Sequence, residues 1–157
     1  MLTPHQVRLG AHMNDPHPHH YVAVFGDPDA LGHVHVEDGK YGHRNLPQQL
    51  RPGDMVLLYC TGTYLPYPRS VPGIGIVTRV EQATRDFWYD YLPLRQALPL
   101  DLLRFRMETA DQESLANIRF DTYWFFRVSE QSFRAVMQGA LLGRPLDSDT
   151  QQGPLIE

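Results

Sequence analysis

Residues 51–60 read RPGDMVLLYC, a turn that leads directly into a nearly continuous apolar run. Pro52 and Gly53 interrupt regular structure before the run, whereas Met55–Cys60 carries no charged side chain. An apolar run of this kind, without polar alternation, is typical of a strand that is buried on both faces. We therefore expect Met55–Cys60 to be the central strand of a sheet, with the rest of the domain built around it.

Two further apolar stretches are predicted to be strands of the same sheet. Tyr21–Phe25 ends in a turn signal, GDPD at 26–29, and Gly73–Val80 contains glycines that would let another backbone or a ligand approach closely. The segment 61–72 contains one glycine and three prolines, which predicts a loop. A loop of about a dozen residues is uncommon unless it serves a function.

Shorter patterns predict the remaining elements. HVHV at 33–36 alternates with period 2, which predicts a strand with its valines on one side and its histidines on the other. Residues 45–50 are predicted to form a helical turn, and residues 87–94 are aromatic and irregular. Apolar residues then alternate with Arg104 and Arg106, so these two arginines are expected to share one strand face.

The last third of the chain carries clearer signals. Residues 111–118 are predicted to form a short helix and residues 120–128 the last strand. Ser129 is a suitable N-cap for a helix through Gln138, and Gly139 is expected to end that helix. Five or six short strands with long connections and few short helices favour a small mixed barrel over alternating βα units.

Length and composition limit the alternatives. A chain of 157 residues with 42% hydrophobic residues fits one globular domain. We expect a flexible His- and Pro-rich lead-in at 1–18, the domain at 19–142 and a frayed tail at 143–157. The net charge of −4 argues against a broad basic surface that grips nucleic acid non-specifically, but it leaves a local basic groove open.

Cysteine content and hydropathy predict the compartment. The single cysteine, Cys60, excludes an internal disulfide and fits a reducing environment. The first twenty residues have neither a basic start nor an apolar stretch, and no long apolar run follows. We therefore expect a cytoplasmic protein without a membrane span.

The histidines are the densest group of possible metal ligands. All eight lie before residue 44, and HPHH at 17–20 and HVH at 33–35 supply imidazoles of the kind that bind zinc, nickel or copper. No HExxH motif and no second cysteine support a metal, so solvated or capping histidines are the simpler interpretation. Cys60 with one of these histidines stays open as a nucleophile, although a small apolar residue packs well at the end of a buried strand.

Aromatic side chains near the Gly- and Pro-rich loops are candidates for ligand contact, because their ring faces can stack on a planar base. The alternative is that these rings fill the core. Arg104 and Arg106 likewise fit either a solvated face or a groove that follows phosphates. The aromatic candidates are Tyr59, Tyr64, Tyr67, Trp88 and Trp124.

Four segments follow one another along the first half of the chain: YVAVFGDP at 21–28, DGKYGHRN at 38–45, RPGDMVLLY at 51–59 and PGIGIVTRV at 72–80. In order and spacing they resemble the EVE domains of the PUA-like superfamily, to which the ASCH, YTH and PUA domains are related. LPLDL at 98–102 and VSEQSF at 128–133 are similar to the final third of that family. The resemblance therefore covers the chain from residue 21 to residue 138.

The resemblance implies an α+β fold, a PUA-like pseudo-barrel of five or six mostly antiparallel strands with short peripheral helices. It also implies a pocket for a modified nucleobase, with basic surface beside it. The pocket residues at matching positions are Phe25, Gly26, Asp27, Asn45, Tyr59, Cys60 and Thr61, and the aromatic candidates Tyr64, Tyr67 and Trp124 join them. The candidates for contact with the nucleic-acid backbone are Arg44, Arg69, Arg104 and Arg106.

Our leading hypothesis is a non-catalytic domain that recognises a modified base of DNA or RNA, or a similar planar ligand, without a cofactor. A second hypothesis is a metal-dependent or hydrolytic enzyme that uses the N-terminal histidines. A third is a domain that binds a protein partner through its acidic surface.

Overall fold

The computed structural model describes residues 18–27, 34–118 and 124–142. These contain six strands: β1 (His20–Phe25), β2 (Lys40–Gly42), β3 (Met55–Cys60), β4 (Ser70–Glu81), β5 (Asp86–Pro99) and β6 (Phe125–Val128). They also contain three helices, α1 (Leu100–Arg106), α2 (Thr109–Ala116) and α3 (Glu130–Leu142), and a 3₁₀ turn at Val36–Asp38. Among these helices, none combines the length and the apolar character that crossing a bilayer requires. Apart from Pro18, the predicted lead-in and tail lie outside the described residues.

The six strands form one sheet in the order β2-β5-β4-β3-β1-β6, which curves into a half-barrel. β1 runs parallel to β3, and the other four pairings are antiparallel. β3 lies in the middle of the order, and all its residues except Met55 are buried. The predicted central strand and the predicted α+β fold with mostly antiparallel strands are both confirmed.

Two apolar clusters lie on opposite faces of this sheet, because successive side chains of a strand alternate between its faces. The inner cluster, on the face without helices, includes Phe25, Leu58 and Cys60. The helix-side cluster includes Val24 and Tyr59 together with side chains of all three helices. Neighbouring residues at the ends of β1 and β3 therefore belong to different cores.

Asp54 explains why a turn with a carboxylate precedes the central strand. Its side chain is fully buried, and its two oxygens accept hydrogen bonds from the backbone N–H groups of His19, at 2.9 Å, and Arg51, at 3.0 Å. A buried carboxylate is tolerated when backbone donors satisfy it. Asp54 therefore ties the start of β3 to the start of β1 and fixes the parallel register between the two strands.

The prediction that residues 87–94 are irregular is wrong, because β5 spans Asp86–Pro99 and pairs with β4 along most of its length. The glycines of β4 make room for its rings. A Cβ atom on Gly75 would lie 2.7 Å from the Tyr89 ring, and one on Gly73 would lie 2.7 Å from the Tyr91 ring. The expected close approach at these glycines is confirmed, and it places two tyrosines of β5.

The predicted strand around Arg104 and Arg106 is also wrong, because Leu100–Arg106 is helix α1. Leu100 and Leu103 are buried, and this three-residue spacing presents one helical face to the core. Residues two apart on a helix point in nearly opposite directions. The two arginines therefore do not share a face.

Two predictions near the start of β2 also need correction. His33 lies outside the described residues, and Val34–Val36 forms no strand. The backbone of Val36 is held instead by two buried tyrosines: its N–H donates to the Tyr64 hydroxyl at 3.1 Å, and its carbonyl accepts from the Tyr89 hydroxyl at 2.6 Å. Residues 45–50 form separate turns in place of a helical turn, because Pro47 has no N–H to continue one.

The last helices and the last strand of the described chain largely agree with their predictions. Residues 109–116 and 125–128 form the predicted helix α2 and strand β6, and residues 119–123 lie outside the described part. Ser129 caps α3 as expected, since its hydroxyl accepts from the Ser132 N–H at 3.0 Å. The helix continues past Gly139 to Leu142, which corrects the predicted end. A glycine inside a helix costs only about 1 kcal/mol relative to alanine, too little to stop it here.

Candidate functional site

The half-barrel is open between its two edge strands, β2 and β6, and Tyr41 bridges this opening. The Tyr41 hydroxyl of β2 lies 2.8 Å from the carbonyl oxygen of Trp124 and 3.1 Å from that of Val24, and it donates its proton to this pair. The Trp124 carbonyl also accepts the N–H of Val24, at 2.8 Å. We call this junction the seam.

A cavity of about 640 Å³ lies at the seam. Its aromatic lining residues are Phe25, Tyr41 and Trp124. Its polar walls hold three cationic side chains, one histidine and one carboxylate, which are Lys40, Arg44, Arg85, His43 and Asp86. The remaining lining residues are Val24, Gly26, Val34, Gly42 and Thr84. We call it the seam cavity.

Arg85 reaches the seam cavity from the hairpin between β4 and β5, with its backbone in the left-handed region at a φ of 59°. A residue other than glycine costs about 1–3 kcal/mol in that region. The surrounding bonds hold it there: the Arg85 carbonyl accepts from the His43 N–H at 3.1 Å, and its guanidinium donates to the Arg44 carbonyl. The hairpin and the segment after β2 therefore form one wall.

Cationic side chains continue from the seam cavity onto the outer surface of the sheet. Trp88 of β5 is flanked by Lys40 on β2 and Arg79 on β4, whose charged groups lie 5.3 Å and 4.0 Å from its ring centroid. Such cation–π contacts stabilise exposed cations by about 0.5–1 kcal/mol. Arg79 also pairs with Glu81 at 3.4 Å. Lys40 therefore takes part in a cation–π contact with Trp88 and also lines the seam cavity.

Four of the predicted site residues line the seam cavity, and they are Phe25, Gly26, Trp124 and Arg44. Trp124 is half-buried, and its indole N–H donates to the Ile118 carbonyl at 2.6 Å, so its ring is fixed in place. Asp27 and Asn45 are exposed close to these residues in sequence but do not line the cavity. The structure thus brings the first strand and the GHRN segment to one place.

Tyr64 and Tyr67 pack in the inner cluster and do not line the seam cavity. Tyr64 is completely buried, and Tyr67 stacks on it with ring centroids 6.2 Å apart. Burial raises the pKa of the Tyr64 hydroxyl to about 12, although its hydrogen bond with Val36 acts in the opposite direction. Its role in this structure is to hold the 3₁₀ turn. Thr61 is the first residue after β3. Its hydroxyl forms a hydrogen bond with the Thr63 hydroxyl at 2.8 Å, and the residue is half-buried.

Tyr59, Arg69 and Arg104 meet on the opposite face of the sheet. Tyr59 is 2% exposed within the helix-side cluster, and burial raises its pKa while the nearby charges of Arg69 and Arg104 lower it. Arg69 and Arg104 are themselves exposed, and Arg106 is half-buried on α1. We call the surface around Tyr59, Arg69 and Arg104 the helix-side surface, and it lines no part of the seam cavity.

Cys60 and the histidines, which were the candidates for enzymatic chemistry, are not arranged as a catalytic or metal site within the described residues. Cys60 is buried in the inner cluster, and burial raises the pKa of its thiol to about 12, so the reactive thiolate is scarce at neutral pH. Across the described ranges, no three residues of the His, Cys, Asp and Glu types are grouped so as to hold a metal ion. His17 and His33 lie outside those ranges.

Sequence reasoning missed Lys40, Tyr41, Arg85 and Asp86 as lining residues. Lys40 and Tyr41 lie in DGKYGHRN at 38–45, so that segment carried a signal for them. Arg85 and Asp86 belong to a hairpin that the sequence interpretation did not place beside that segment. Only the antiparallel register of β2 with β5, which pairs Gly42 with Asp86, brings them together.

Comparison with known proteins finds a similar fold but indicates no function. No family model matches the chain, and no curated protein matches it significantly. The chain is similar to the solved structure of a hypothetical protein from Leishmania major, with a TM-score of 0.54 and 15% sequence identity. The alignment covers 78% of this chain and 94% of that one. At this identity the similarity shows a shared fold alone.

Proposed function

We propose that this protein is a non-catalytic reader, which binds a modified nucleobase of DNA or RNA in the seam cavity. The observation that carries the proposal is the composition of that cavity, in which Phe25 and the half-buried Trp124 line the same volume as Arg44 and Arg85. A planar base stacks on ring faces, while its phosphate needs cations nearby. About 640 Å³ lies within the range of small-ligand sites.

The proposed binding is energetically reasonable without a broad basic surface. Extruding one base from its neighbours costs a few kcal/mol, and stacking on an aromatic side chain returns about 1–3 kcal/mol for each base. The net charge of −4 opposes general attraction of nucleic acid, so specific contacts at one place must dominate. Lys40, Arg44 and Arg85 concentrate positive charge at the seam cavity.

The resemblance to EVE domains supports the same location. Two of the resembling segments, 21–28 and 38–45, contribute three and five lining residues respectively. They come from separate parts of the chain, and in the strand order β2 lies at one edge of the sheet while β1 lies next to the other edge. Curvature of the half-barrel and the Tyr41 bridge bring them together at the seam.

Fluorescence anisotropy with labelled oligonucleotides tests the proposal. Single-stranded and duplex DNA and RNA of one sequence would carry a central base that is either unmodified or methylated. We expect tighter binding of one methylated probe, and about tenfold weaker binding of all probes by the Arg44→Gln, Arg85→Gln double variant, because two phosphate contacts are lost.

Arg104→Gln, Arg134→Gln is the matched control, since it also removes two exposed arginine charges but lies on α1 and α3. It should bind as the unaltered protein does. Equal losses in both double variants would overturn the assignment to the seam cavity. Absence of binding to every oligonucleotide would overturn the proposed function itself.

A further inference from the structure

Asp86 is the one carboxylate in the lining of the seam cavity. It is half-buried at the start of β5, and within the described ranges its side chain has no hydrogen bond or ion pair. An ionised carboxylate offers two oxygens as acceptors and no donor. Asp86 can therefore satisfy donors of a ligand without giving up any contact in the protein.

Gly42 gives the Asp86 carboxylate its position. The two residues are paired across β2 and β5, and a Cβ atom on Gly42 would lie 2.3 Å from the Asp86 Oδ1 atom. No side chain larger than hydrogen leaves the carboxylate in this position. Because β2 is an edge strand, the bare backbone at Gly42 lets the carboxylate lie across the edge at the cavity wall.

The surrounding charges restrict what Asp86 can recognise. Lys40, Arg44 and Arg85 line the same cavity, so the walls carry more positive than negative charge. The three cations would repel a cationic ligand. An anionic ligand that also bears neutral N–H groups can interact favourably with both the cations and the carboxylate. A nucleotide has that combination, with its phosphate for the cations and its base edge for the carboxylate.

We propose that Asp86 reads the Watson–Crick edge of the bound base and selects guanine or a guanine derivative with that edge intact. This inference rests on the proposed function. Guanine presents two adjacent donors, N1–H and the N2 amino group, which two carboxylate oxygens can accept together. Uracil and thymine present a single N–H between two carbonyl oxygens, and a carboxylate repels these oxygens. Adenine and cytosine each present one amino group beside a ring acceptor.

A set of single-stranded 9-mers with identical uridine flanks and one central base tests the inference by anisotropy. We expect the guanine probe to bind about tenfold more tightly than the uracil probe, because a bidentate contact discriminates by about 5- to 150-fold. Inosine, which keeps N1–H but lacks the N2 amino group, should bind with intermediate affinity. Asp86→Asn should bring the affinities for the guanine and uracil probes close together.

Gly42→Ala is an independent variant that keeps the carboxylate but displaces it, and it should reduce the guanine preference in the same way. Asp90→Asn is the control, since Asp90 is an exposed carboxylate four residues along β5 that does not line the cavity. It should keep the full preference. Thermal unfolding of each variant establishes that it is folded.

The outcomes separate this inference from the function on which it rests. Equal binding of all central bases by the unaltered protein, with loss in the Arg44→Gln, Arg85→Gln variant, would overturn the role of Asp86 and leave the reader function standing. A guanine preference that survives in Asp86→Asn would also overturn it. No binding of any of these 9-mers would overturn the inference about Asp86, and no binding of the methylated oligonucleotides as well would overturn both.

Discussion

The seam cavity and the helix-side surface contain similar residue types but differ in what their aromatic rings face. Both have an aromatic residue near exposed arginines, and each has one arginine with left-handed backbone, Arg85 at the cavity and Arg69 at the helix-side surface. At the seam, Trp124 borders open volume. On the other face, Tyr59 is enclosed by the side chains of the helices.

This difference arises because successive side chains along a strand point to opposite faces of the sheet. Phe25 and Tyr59 come from the ends of parallel neighbours, but Phe25 is paired with Cys60 and Tyr59 with Val24, so the two rings point to opposite faces. Helices cover only one of those faces and enclose Tyr59, whereas Phe25 belongs to the inner cluster and also lines the seam cavity. Residues that are close in a sequence motif are therefore not necessarily close to the same ligand.

The largest expected effect is that of the substitution of Tyr59. If this effect were absent, the distinction between the two regions would be wrong. Tyr59→Ala should lower the free energy of unfolding by about 3–5 kcal/mol, because it removes a buried ring from the helix-side cluster. Urea denaturation followed by circular dichroism measures this loss. Tyr59→Phe keeps the ring and should leave the affinity for oligonucleotides unchanged, whereas a several-fold loss of affinity would place Tyr59 in the binding site.

The sequence predicted the fold to the extent that its signals were local. The buried run Met55–Cys60, the cap at Ser129 and the glycines of β4 each act on their own surroundings, and each prediction was confirmed. The prediction of a strand at residues 100–106 was wrong because alternation and a three-residue spacing coexist there. Burial of Leu100 together with Leu103, while Phe105 is exposed, decides for the helix.

The candidate site was predicted in part for a related reason. Phe25, Gly26 and Arg44 were found because each belongs to a segment with a recognisable pattern. Asp86 was missed because its position depends on pairing with Gly42, forty-four residues earlier, and on the curvature that creates the seam. Sequence spacing carries neither the register of β2 with β5 nor the direction in which the sheet bends.

The two left-handed arginines provide a matched test of intermediate size. Arg85→Gly and Arg69→Gly should each raise the free energy of unfolding by up to about 1 kcal/mol, because relief of backbone strain outweighs the added freedom of glycine in the unfolded chain. Only Arg85→Gly should weaken oligonucleotide binding, since only Arg85 lines the cavity. Equal binding losses in both variants would remove the distinction between the two regions.

The smallest effect is a pH dependence confined to the helix side. His20 of β1 packs on Phe133 of α3, with ring centroids 4.5 Å apart, and burial lowers its pKa below 6.5, against the opposing charges of Glu130 and Asp54. The unfolded state therefore takes up a proton before the folded state does. Stability is fully present above pH 6.5 and falls as the pH drops below that value.

Urea denaturation at pH 7.5 and at intervals down to pH 5 measures this slope. His20→Asn should flatten it between pH 6.5 and 5.5, because the titrating imidazole is gone, while the carboxylates of both proteins contribute equally at lower pH. His43 at the seam cavity is the comparison, since it lies outside the helix-side cluster. If His43→Asn flattened the slope and His20→Asn did not, the acid sensitivity would belong to the seam.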